Sequence, residues 1–147
     1  MYTGLLHTHT LLRYFILLVL VAVVVISFRK WLGRKPYTNF DNKLSLYLLI
    51  FTHLQLVVGL ILYFVSPNVK FNEHTMKDST LRYWSVEHIF LMLVAITLIT
   101  VARIGAKKIS LDALKHKRMF IFNGVALLLI VVSIYMSGRG ILHKNLF

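Results

Sequence analysis

Four long apolar runs constrain this chain more than any other feature. Each is close to the about 20 residues that carry a helix across the hydrocarbon core of a bilayer. They cover about residues 5–28, 44–65, 84–103 and 117–137 of the 147-residue sequence. The second reads LSLYLLIFTHLQLVVGLILYFV from Leu44 to Val65 and stops at Ser66 and Pro67, and the third lies between Arg82 and Arg103. Inside lipid the backbone must satisfy its own N–H and C=O groups, so such runs are expected to be helical. The sequence shows neither the alternating pattern of a membrane β-barrel nor an internal repeat. The N-terminus has no basic residue ahead of its apolar stretch and no small-residue cleavage pattern, which predicts a retained helix rather than a signal peptide.

Composition agrees with that reading. Hydrophobic residues make up 58% and charged residues 15% of the chain, against roughly 25% charged in soluble domains. The mean hydropathy is +0.73. The expectation is an all-α, integral-membrane four-helix bundle, residues 1–147 forming a single transmembrane domain. The absence of cysteine excludes disulfides, thiolate metal sites, iron–sulfur clusters and thiol nucleophiles.

Seventeen Lys and Arg against five Asp and Glu give a formal charge of +12. Eleven of the seventeen fall in two segments, Arg29 to Lys43 and Arg103 to Arg118. By the positive-inside rule these two loops face the cytoplasm, and both termini and the loop from Ser66 to Tyr83 face outward. Because the basic residues abut helix ends and the aromatics lie within apolar runs, no nucleic-acid groove reader is expected. The partner of the basic loops is the lipid bilayer with its anionic headgroups. Asp41 and Asn42 are candidate caps for the second helix. The predicted location is a membrane, crossed four times with N-out and C-out topology.

Ionisable groups inside spans are costly and therefore candidates for function. At about 1.5 Å per residue, His9 and His88 lie at similar outer levels of the first and third helices. His53 lies near the middle of the second, and His116 at the cytoplasmic start of the fourth. Histidines on facing helices of a bundle are suited to axial ligation of a b-type haem. The candidate iron ligands are His53, His88 and His9. Burial favours the pairing of His53 with His88, and depth favours His9 with His88. Arg13, four residues from His9 on the same face, and Arg82, just outside the third helix, are candidate partners for haem propionates. His116 is an interfacial basic residue or a further cofactor contact, and Met92, one turn from His88, an alternative axial ligand. The competing reading makes the histidines structural groups hydrogen-bonded across helices, with Gln55, Asn123 and Thr97 as available partners. A zinc or copper site from His9, His53 and His88 fits by ligand type but lacks a carboxylate or sulfur ligand. Glu87, the acid inside a span, is expected to meet Arg13, Arg82 or a proton path.

The segments LLHTHTLLRY (5–14), THLQLVVGLILYFVSPNV (52–69), MKDSTLRYWSVEHIFLM (76–92) and KHKR (115–118) resemble a family of small four-helix inner-membrane proteins of Bacteroidetes labelled "cytochrome b". The layout is more distantly similar to the SirB and CopD-like groups of histidine-containing membrane bundles. The resemblance implies haem b, with His9, His53, His88 and His116 as the positions that matter. The expected function is electron transfer, with quinone or a periplasmic redox protein as partner and oxidoreductase chemistry if the chain is an enzyme. The alternatives are a cofactor-free accessory or structural subunit, and a haem-biosynthesis or copper-handling membrane enzyme.

Overall fold

The computed structural model describes residues 2–65 and 86–136. Among them the chain forms four helices and no strand: α1 (Tyr2–Leu32), α2 (Asn39–Val65), α3 (His88–Lys107) and α4 (Asp112–Met136). Each is long and apolar enough to cross a membrane. The protein is a multi-pass four-helix membrane bundle.

One face of every helix turns inward on a common rhythm. Helix α1 buries Ile16, Leu20, Val23 and Ser27, and α2 buries Ser45, Leu48, Thr52 and Leu62. Helix α3 buries Ala95, Ile99, Ala102 and Ala106, and α4 buries His116, Met119, Asn123, Ala126 and Ser133. Steps of three and four residues average 3.5, which holds one stripe on the bundle axis and suits left-handed helix packing. The remaining faces carry Leu18, Phe64, Phe90, Leu128 and other large apolar side chains exposed to the surroundings, as a lipid-facing surface requires. Thr8, Thr10, Thr52, Thr97 and Thr100 return their hydroxyls to backbone carbonyls three or four residues earlier, so these polar groups need no water inside the bilayer.

Neighbouring helices pack α3 on α4, α4 on α1 and α1 on α2, while the seam between α2 and α3 is the lightest. Small residues explain the α3–α4 contact, because the alanine stripe lets the two backbones approach closely. At its end the guanidinium of Arg118 lies over Gly105, where a Cβ would occupy the same space, and Nη2 donates to the carbonyl of Val101 at 3.0 Å.

The helices overrun the apolar runs at the basic end of the bundle. Helix α2 begins at Asn39 rather than near residue 44, and α4 at Asp112 rather than 117. The reason is local capping. Thr38 and Asp41 form a reciprocal box: the Thr38 N–H donates to Asp41 Oδ2 at 2.8 Å, and the Asp41 N–H reaches Thr38 Oγ1 at 3.5 Å. The cap is thus Thr38, with Asp41 answering it, rather than Asp41 or Asn42. Lys30, in the last turn of α1, bonds the same Asp41 oxygen at 2.8 Å and ties the two helices together. Asp112 Oδ2 accepts the Tyr37 N–H at 3.1 Å and fixes the linker to the start of α4.

Candidate functional site

The α1–α3 diagonal brings together two of the sequence-predicted histidines. His9 is on the inward stripe of α1, seven residues before Ile16, and is buried. His88, the first residue of α3, is half-buried, seven residues before Ala95. Their ring centroids are 6.5 Å apart and the ring planes are inclined at 76°.

Helix α2 shapes the pocket around His9. Gly59 leaves room for the ring: a Cβ there would meet His9 Cε1 at 3.4 Å and Nδ1 at 3.8 Å. One turn deeper, Gln55 Nε2 donates to the His9 backbone carbonyl at 2.8 Å, pinning α2 to α1. Gln55 therefore holds the helix that carries His9 rather than the imidazole itself. Its Oε1 is buried without a hydrogen-bond partner. Asn123 and Thr97 bond carbonyls of their own helices, Met119 and Leu93.

Below the histidine pair the four helices enclose a narrow cavity of about 60 Å³. Arg13, one turn from His9, and Met92, one turn from His88, border it, with Gln55, Thr52 and apolar side chains. Arg13 also lays its guanidinium over the Tyr14 ring at 4.9 Å. Arg82, the second cation expected at this end, lies outside the described residues, as do His74 and His143.

His53 does not join this site. It is exposed on the outer face of α2, with Ile50, Leu54 and Val57, and its Nδ1 contacts the carbonyl of Leu49 at 2.8 Å. The expectation that burial singles out His53 is therefore corrected. Position 53 falls one residue past Thr52, off the inward stripe, midway along α2. The threefold His9, His53, His88 arrangement is not assembled, and among the described residues no group of three or more His, Asp or Glu side chains is placed to hold a metal ion.

His116 stands at the opposite, basic end. It is 1% exposed, buried within the bundle rather than on its surface, and lies against Tyr37 with ring centroids 5.2 Å apart. Its Nε2 has no hydrogen-bond partner. Lys115 covers the other part of Tyr37 at 5.2 Å. Burial pushes the Tyr37 phenol up from its usual 10.0, against the smaller opposing effects of a Ser45 hydrogen bond and the Arg103 charge. The phenol is accordingly neutral at physiological pH.

His9 and His88 offer imidazole nitrogens, a ligand type that haem iron takes. Two imidazoles on one metal, with bonds of about 2 Å on each side and the ring half-widths added, have centres about 6 Å apart. The observed centroid separation of 6.5 Å is near that value. No family model matches the chain, and neither a curated protein nor a solved structure matches it.

Proposed function

We propose that the protein is a membrane-embedded b-type haem protein that transfers electrons, and that His9 and His88 are the residues that would hold the haem. The observation that carries this reading is the 6.5 Å separation of two imidazoles held by facing helices at one level of the bundle. Haem supplies a one-electron carrier that a four-helix bundle can hold in lipid. This chain's own residues set the ligand spacing. Gly59 gives the His9 ring its place, Gln55 locks α1 to α2, and Arg13 offers a cation one turn away for a propionate. Arg82 is proposed as the second propionate partner, quinone or a periplasmic redox protein as the electron partner, and a bacterial inner membrane as the location. The likeness to the small "cytochrome b" proteins supports the same reading.

One observation favours a second reading. The cavity beside the histidines measures about 60 Å³, whereas ligand sites commonly measure about 300–1,000 Å³. A cofactor-free subunit, with His9, His88 and Gln55 as packing polar groups, would need no more space. The absorption spectrum of the protein expressed with ample haem separates the two. A Soret band with the low-spin signature of six-coordinate iron is expected, and its absence overturns the haem reading.

A further inference from the structure

Arg103 is the feature that this reading leaves unexplained. It lies one turn before the end of α3, at the pole opposite the histidine pair, and is 6% exposed. Its Nη1 donates to the Asn42 carbonyl at 2.9 Å and to Ser45 Oγ at 2.7 Å. Both acceptors are neutral. The acids of this pole are engaged elsewhere: Asp41 Oδ2 accepts Lys30 and Thr38, and Asp112 Oδ2 accepts the Tyr37 N–H. Among the described residues no carboxylate lies within ion-pair distance of Arg103. A guanidinium withdrawn from water and met only by neutral oxygens keeps much of its desolvation cost.

The same guanidinium borders a cavity of about 300 Å³, and Lys107, Lys115, Tyr37 and Asn42 contribute further walls. Among the described residues no acidic side chain lines it. Asn39, the first residue of α2, also borders it. Three cationic residues, one of them buried and fixed through Nη1, line a volume large enough for a phosphate group and part of its substituent. Arginine presents a planar donor fork that matches phosphate oxygens, and lysines add point charges around it.

We propose that this cavity binds a phosphate oxyanion, with Arg103 as the central donor and Lys107 and Lys115 closing the charge around it. The oxyanion is the headgroup phosphate of an anionic lipid or a soluble phosphate, which present the same chemistry. The site does not depend on the histidine pair, and it would stand if the haem reading fell.

The test uses the full chain in nanodiscs. In phosphatidylcholine discs, inorganic phosphate is titrated and followed by calorimetry. In a parallel arm, phosphatidylglycerol replaces a rising share of the lipid and the thermal midpoint is read. Saturable binding in the first arm assigns a soluble phosphate, and a saturable rise in midpoint in the second assigns a lipid headgroup. Lys107→Ala with Lys115→Ala should weaken the response at least tenfold. Arg103→Lys, which keeps the charge and loses the fork, should weaken it by a similar factor. Lys35→Ala with Lys43→Ala, which removes two charges from the same pole outside the cavity, should leave it unchanged. No saturable response in either arm, or equal weakening by the two double variants, overturns the proposal.

Discussion

The imidazole of His9 on α1 rests against the bare Cα of Gly59 on α2, close enough that a built Cβ would stand 3.4 Å from Cε1. The glycine thus sets how far the ring can retreat from His88. Alanine at 59 meets the ring at ordinary contact distance and should be tolerated. Leucine adds bulk with no room, and overpacking of this kind costs about 1–3 kcal/mol. Gly59→Leu should therefore lower thermal stability in detergent by that amount and sharply reduce the Soret band, while Gly59→Ala preserves both.

Arg118 and Gly105 should be energetically coupled. Gly105→Ala displaces the guanidinium from its place over α3 and breaks its bond to the Val101 carbonyl, a loss of about 1 kcal/mol. In an Arg118→Ala background the same glycine substitution should cost almost nothing. A double-mutant cycle on thermal unfolding checks this, and strict additivity would show that the contact carries no energy.

The turn after α1 contains a correctable strain. Arg34 adopts φ of 53°, a left-handed conformation that follows Gly33. Glycine accepts this torsion without a Cβ penalty. Arg34→Gly should raise stability by up to about 1 kcal/mol, measured as a higher unfolding midpoint, despite removing a surface charge.

The capping box at α2 predicts a loss in the other direction. Thr38→Ala removes the acceptor for the Asp41 N–H and the hydroxyl that donates to Asp41 Oδ2. Replacing such a cap costs about 1 kcal/mol. Thr38→Ser should recover most of it, which distinguishes capping from packing of the methyl group.

His116 should be dispensable for any cofactor at the other pole. Its Nε2 lies buried without a partner against Tyr37, so an apolar side chain of similar size removes an unsatisfied polar atom. His116→Leu is expected to change stability by less than about 1 kcal/mol and to leave the absorption spectrum of the protein unchanged.

Length and hydropathy made the four helices legible, because lipid leaves the backbone few choices. The helix ends were less so. TNFD at 38–41 is a capping box written in plain residue types, yet hydropathy alone places the start of α2 at Leu44. Facing was readable too, but only from small and polar residues rather than from hydrophobic ones. In a helix that is apolar all round, Leu48 and Leu54 look alike, and Ser45, Thr52, Gln55 and Gly59 at three- and four-residue steps reveal which side turns inward. That stripe passes through Thr52 and misses His53, so it was the expected burial that paired His53 with His88, whereas depth pointed to His9. His9, His88 and His116 each lie on their helix's stripe. Arg103 was read as a loop boundary because its charge suggested water. The neighbouring Ala102 marks the inward stripe, and Asn42 and Ser45 across the seam supply the neutral acceptors that let it stay buried.

The most direct measurement is the Soret absorbance per mole of protein for three single variants beside the parent, all purified after expression with ample haem. His9→Ala and His88→Ala should each abolish the low-spin band, and His53→Ala should retain it in full. Loss of the band in His53→Ala with retention in His9→Ala would contradict the assignment of the α1–α3 diagonal as the haem-binding pair.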